Sequence, residues 1–115
     1  MQYMLLVYWN ETKRKSATKE QMAETFAAYM AYTEALKKAG AFLAGSGLQD
    51  SSKATVVRAF DGKPRVLNGP YIESKEQLGG YYLIEAADLD GALALAARCP
   101  GAQQDAVEVR PLMIY

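Results

Sequence analysis

The chain opens on Met1 to Trp9, where both alternating sets of positions are apolar: Tyr3, Leu5, Val7 and Trp9 on one side, Met4, Leu6 and Tyr8 on the other. Successive side chains of a strand point to opposite faces, so this pattern predicts a strand covered on both sides. The period then changes. Thr18-Lys19-Glu20-Gln21 has capping-box spacing, and Met22, Phe26, Tyr29, Thr33 and Leu36 recur at helical spacing as far as Gly40. An amphipathic helix of about 20 residues is expected, with Gly40 capping its end.

Ala41 to Leu48 reads as a short strand in which Gly45 and Gly47 mark a bulge or a close backbone approach, and Asp50 to Lys53 reads as an exposed loop. Thr55 to Phe60 alternates, and Asp61-Gly62 before Lys63 predicts a hairpin turn into Arg65-Val66-Leu67, giving two strands of a meander. Gly80 to Ala86 is a further strand with mostly apolar faces. Asp88 is placed to cap a second helix with Leu89, Leu93 and Ala96 on one face, ended by Pro100-Gly101. Ala106 to Arg110 is the last strand, followed by Pro111 and an apolar tail.

Strand, helix, several strands, helix, strand is the order of an α+β layer: an antiparallel sheet of ferredoxin-like type with two helices on one face. Those helices cover only one side. The strands Met1 to Trp9 and Gly80 to Ala86 carry apolar side chains on both sides, more than the few hundred Å² of apolar patch a soluble monomer tolerates. A C₂ homodimer, sheet against sheet around a shared cavity, would cover the second side without further sequence.

Composition narrows the functions. At 115 residues a single domain over 1–115 is expected. Thirteen Lys+Arg balance 13 Asp+Glu, so no surplus of positive charge exists for sequence-independent binding to nucleic acid or anionic lipid. The chain contains no histidine, which removes Ser-His and Cys-His nucleophilic pairs and histidine-ligated metal. Its one cysteine, Cys99, lies in an apolar run and reads as a small buried residue rather than a nucleophile. No Cys cluster offers zinc a site and no Gly-rich phosphate loop is present, so no metal or cofactor is expected. Met1 to Trp9 lacks a basic leader and is far too short to cross a bilayer; the expected location is cytoplasmic. Proton transfer is left to carboxylates, tyrosines and lysines whose pKa would be shifted by burial.

One stretch, Asn68 to Tyr82, is not explained by core filling or surface decoration alone. Asn68-Gly69-Pro70 follows a strand, where glycine supplies an unusual backbone angle and proline fixes the next. Ser74-Lys75-Glu76-Gln77 has capping-box spacing, so a short helical turn flanked by Glu73 and Lys75 would aim free N–H groups at an anion; the alternative is a solvated charged pair. Gly79-Gly80 permits close backbone approach as the next strand begins. Tyr81 and Tyr82 point to opposite sides, one under the helices and one toward the shared cavity. Arg58 and Arg110 interrupt apolar strands, each either snorkelling to a rim or recognising a carboxylate or phosphate.

This stretch resembles the signature of the YCII-related family in its DGPF branch, which reads Asp-Gly-Pro-Phe followed by a Glu-(Ser/Thr)-Lys-Glu-Gln-Leu-Gly-Gly-Tyr run. The resemblance extends through Met4 to Tyr8, Ala39-Gly40, Gly47-Leu48 and Val107 to Pro111. Asn68 and Tyr71 stand where the pattern has Asp and Phe, so a carboxylate is missing at the first of these positions. The resemblance implies a dimeric α+β barrel and kinship with small enzymes such as muconolactone isomerases and cofactor-independent oxygenases. It also implies a link to extracytoplasmic-function sigma factors, beside which members are often encoded. Other branches carry a histidine and aspartate proposed as an active-site pair, and this chain has no histidine.

Two functions follow as expectations. The first is a lyase- or isomerase-like enzyme acting on a small anionic or aromatic ligand in the cavity between sheet and partner, with Glu73 or Asp61 as base. Arg58, Asn68, Lys75, Arg110 and Tyr81 or Tyr82 would bind the substrate. The second is a non-catalytic module that senses a ligand or contacts a sigma factor; a third outcome is a dimer whose cavity is merely filled core.

Overall fold

A computed structural model describes residues 1–115. Its elements are β1 (Gln2–Trp9), α1 (Glu11–Lys15), α2 (Lys19–Lys38), β2 (Phe42–Gly47), β3 (Thr55–Arg58), β4 (Arg65–Asn68), β5 (Gln77–Glu85), α3 (Leu89–Ala97), α4 (Pro100–Gln104) and β6 (Ala106–Pro111). β2, β5, β1 and β6 lie in that order in one sheet, with every neighbouring pair antiparallel. This is the ferredoxin-like strand order, and the fold is α+β, an antiparallel sheet with its two longer helices on one face.

Helix ends follow local chemistry. Thr18 accepts from the Gln21 amide while the Gln21 side chain accepts from the Thr18 amide, closing the capping box, and Gly40 takes φ 69° after the last turn. Asp88 caps α3 through the Gly91 amide at 2.8 Å. Two short helices lie outside the periodic pattern. Asn10 caps α1, and Pro100, expected to end the second helix, instead begins α4 at its first turn, where a missing N–H costs nothing.

The core lies between the sheet and α2 with α3. Tyr3, Leu5 and Val7 of β1, Tyr82 and Ile84 of β5, Tyr32 and Leu36 of α2, and Ala92 and Ala96 of α3 are all buried, with Cys99 beside them. Register places the other side chains of these strands on the opposite face. Met4, Leu6 and Tyr8 sit across from Leu83, Tyr81 and Leu78 on one side and from Arg110, Glu108 and Ala106 on the other. No element of the chain covers that face, and its apolar members are half-buried or exposed.

β3 and β4 depart from the expected meander, forming a separate two-stranded sheet unpaired with the other four. Asp61 at φ 58° and Gly62 at φ 73° make the turn at its tip, as the Asp-Gly pair predicts. Both faces of this arm are open: Val66 on one is 66% and Leu67 on the other 52% exposed.

Candidate functional site

The signature stretch is held in place by a short polar junction. Glu11, at the start of α1, takes the Ser51 amide on Oε2 at 2.7 Å and the Ser51 hydroxyl on Oε1. Its own amide donates to Gln77 Oε1 at 3.0 Å. One residue thus joins the end of β1, the turn at 51–53 and the start of β5. Beside it Asp50 caps that turn and lies 3.6 Å from Lys15. Hydrogen bonds from Ser52, with Lys15 adding, hold the Asp50 carboxyl below its ordinary range.

Between this junction, the root of the arm and the end of the open sheet face lies a cleft of about 940 Å³. Tyr8, Leu78 and Ala106 form its sheet wall; Pro70, Tyr71, Ile72 and Ser74 to Gln77 come from the signature stretch; Asp50, Ser51 and Lys53 to Val56 close the third side. At its sheet edge the Tyr8 hydroxyl donates to Glu108 Oε1 at 3.5 Å, and Arg110 Nε donates to Glu108 Oε2 at 2.9 Å. An apolar wall with convergent amides, hydroxyls and a few charges suits a small polar molecule with a flat apolar body.

The structure distributes the sequence candidates unevenly. Lys75 lines the cleft, while Glu73 is exposed outside it. The expected helical turn at Ser74 to Gln77 does not form: Ser74 bonds the Glu76 carbonyl, the Gln77 side chain bonds the Ser74 carbonyl, and Gln77 enters β5. Those bonds satisfy the capping residues locally, so no helix N-terminus faces the cleft. Arg58 stays on the arm, its guanidinium 5.3 Å from the Tyr71 ring centroid and 6.0 Å from that of Phe60. Asp61 is at the arm tip, and Asn68 at the arm root sits opposite Thr55. Tyr81 is on the open face and Tyr82 beneath α2, where its hydroxyl lies 3.0 Å from Thr33 Oγ1. Arg110 is on the open face with Glu108.

Two glycines serve packing in ways the spacing only partly announces. Gly69 has no positive φ; a Cβ there would come within 3.0 Å of Ala54 Cβ and 3.1 Å of its carbonyl oxygen, so close approach at the arm root is the reason for glycine. Gly79 is the bulge residue facing Trp9, whose Cε2 would lie 2.0 Å from an added Cβ. Sequence reasoning missed Glu11, Glu76, Tyr8 and Glu108. The last two were legible in principle, since alternation along β1 and β6 puts them on the uncovered face.

Comparison with known proteins now adds identity. The model of the YCII-related domain matches residues 1–114. The chain belongs to the YCII-related family. It is 33% identical over 117 residues to the uncharacterized protein R00369 of Rhizobium meliloti (strain 1021), covering all of this chain and 94% of that protein. Among solved structures it resembles 5-chloro-2-hydroxyhydroquinone dehydrochlorinase (TftG) from Burkholderia phenoliruptrix AC1100, in complex with 2,5-dihydroxybenzoquinone. The TM-score is 0.58 at 16% identity, over 98% of this chain and 94% of that one, which is a likeness of fold. No helix of this YCII-related protein is long and apolar enough to cross a membrane.

Proposed function

We propose that this protein is a homodimeric small-molecule enzyme of lyase or isomerase type, working in the cavity formed where a second copy covers the open sheet face and its cleft. The observation that carries the reading is the gathering of Tyr8, Lys75, Glu76, Glu108 and Arg110 at one end of an otherwise apolar face. The likeness of fold to a dehydrochlorinase in complex with 2,5-dihydroxybenzoquinone supports a small ring as substrate. With no histidine in the chain, this reading gives the role of base to a carboxylate. Glu76 lines the cleft of its own chain, whereas Glu73 and Asp61 would act only if the partner folded over them. Lys75, Arg110 and Tyr81 would stabilise an oxyanion on the ring, and Arg58 and Asn68 of the arm would close over it.

A thermal-shift screen of small anionic and aromatic metabolites, with mass spectrometry of each stabilising hit, tests this without an assumed substrate. Conversion of a hit, lost at least 100-fold in Glu76→Gln, Glu73→Gln or Asp61→Asn, is expected for a general base. Hits that stabilise and are never converted would instead favour a cytoplasmic ligand-sensing module, linked to a sigma factor. Asn68 in the place of the family aspartate favours that second reading, since binding tolerates an amide where proton transfer does not.

A further inference from the structure

The sheet's other face holds a second opening. The end of α2 packs down through Tyr32 and Leu36, but short of Tyr32 the helix overhangs the sheet, with Phe26 68% and Met30 51% exposed. Beneath it runs a crevice of about 290 Å³ between α2 and strands β1, β2 and β5. Its walls are aromatic: Trp9 meets Tyr29 edge-on at 6.4 Å between ring centroids, and Phe42 meets Tyr82 likewise at 6.4 Å. Glycines on β2 and β5 keep the floor flat. A Cβ on Gly45 would lie 2.8 Å from Tyr82 Cδ1, whereas one on Gly47 would meet nothing.

The crevice has one charge. Arg14 is its only ionic lining residue, stacked with Cζ 3.7 Å from the Trp9 ring centroid and in no salt bridge. A cation on an aromatic face at the mouth of an uncharged slot attracts an anion whose body follows it inward. The interior also has a directed acceptor. Thr33 donates its single hydroxyl proton to the Tyr29 carbonyl at 2.9 Å, so across the 3.0 Å contact Tyr82 must donate to Thr33. The Tyr82 oxygen keeps its lone pairs for an incoming O–H.

We infer that this crevice is a binding site for a single-ring hydroxylated aromatic carboxylate, with the ring among Trp9, Phe26 and Tyr29, the carboxylate on Arg14 and the ring hydroxyl donating to Tyr82. The volume is ample for one six-membered ring with its substituents. The site lies on the opposite side of the sheet from the cleft and stands independently of what happens there.

Trp9 is the only tryptophan of the chain, so its fluorescence reports on this crevice, and the Gly47→Phe variant separates it from the adjoining polar hollow that Trp9 and Arg14 also line. Titration with 4-hydroxybenzoate is expected to quench or shift that emission saturably, while cyclohexanecarboxylate binds poorly. Arg14→Gln, an exposed substitution that leaves the core untouched, should weaken 4-hydroxybenzoate about tenfold or more and phenol hardly at all, because only the carboxylate loses its charge-assisted partner. Gly47→Phe places a ring in the empty space and should abolish binding of both, with the far-ultraviolet circular dichroism of the parent retained. Emission indifferent to millimolar 4-hydroxybenzoate overturns the site, as does an Arg14→Gln protein that binds it like the parent or a Gly47→Phe protein that still responds. Emission that moves with protein concentration alone, with no response to ligand, also overturns it, showing a second copy to be the occupant.

Discussion

Gly79 and Trp9 show how one residue choice on β5 sets the end of β1. The bulge at Gly79 lets the indole lie flat on backbone, where it meets Tyr29 and Arg14. Gly79→Ala should cost about 1–3 kcal/mol through overpacking, measured as a lowered urea midpoint with an unchanged m-value and a shifted Trp9 emission. Burial gives the second prediction at this scale. It raises the Tyr29, Tyr32 and Tyr82 phenols and the Cys99 thiol above their ordinary values, and nearby Cys99 adds to the rise at all three tyrosines. The folded state therefore holds these protons more tightly than the unfolded chain, whose thiol and phenols ionise near about 8.5 and 10. Stability from these groups is complete below those values and is lost as pH rises past them. The Tm should be flat between about pH 6 and 8 and fall above about pH 9, with the buried phenolates absorbing at 295 nm only as the protein unfolds. Alternation already put Tyr81 and Tyr82 on opposite sides of a strand; which of them went under α2 depended on a register set by β1.

Helix boundaries were the most legible elements, because capping is chemistry among four adjacent residues. Thr18→Ala should therefore cost about 1 kcal/mol in thermal or urea unfolding, since it leaves the Gln21 amide without its acceptor. The same spacing at Ser74 to Gln77 failed as a helix signal. There the following residues carry the β5 pattern, and pairing of Gln77 to Glu85 along β1 outweighs one turn of helix. Pro100 was read as a terminator although proline also starts helices, and α4 uses it so that Gly101 can approach Val7, whose Cγ1 would lie 2.8 Å from an added Cβ. The periodicity of α2 was right in placing Tyr29, Thr33 and Leu36 toward the sheet. It could not show that Phe26 and Met30 would overhang a crevice, because period gives direction and not distance.

The whole molecule is more open than its length suggests. Its radius of gyration is 16.0 Å, against roughly 13 Å for a compact chain of this size, and only 14 of 115 residues are buried. The excess is the arm and the uncovered sheet face. A two-stranded ribbon is marginal alone in water, so this arm needs a surface to lie on. Charge indicates which surface: Lys53, Arg58, Lys63 and Arg65 against Asp61 give residues 53–68 a net charge of +3, and a neutral chain leaves −3 elsewhere. Arms of one copy on the body of another would join opposite charges. Light scattering at micromolar concentration should therefore give twice the 12.6 kDa chain mass, and Arg58→Glu with Arg65→Glu should shift the protein toward monomer, more so at low salt. A wild-type monomer would remove both the dimer and the shared cavity proposed from it.

Taken alone, the order of amino acids determined the strands of the main sheet, the two long helices and their caps, the hairpin turn at Asp61-Gly62, the buried Cys99 and membership of an α+β class, because each rests on side-chain period or on hydrogen bonds among near neighbours. Only the tertiary structure decided the register among β2, β5, β1 and β6, the separation of the arm, the joining of Ser51 and Gln77 through Glu11, and the gathering of Tyr8, Glu76 and Glu108 at one cleft. Those depend on contacts between residues tens of positions apart, whose energies are set by fit and register once the chain has closed on itself, and no local pattern encodes them.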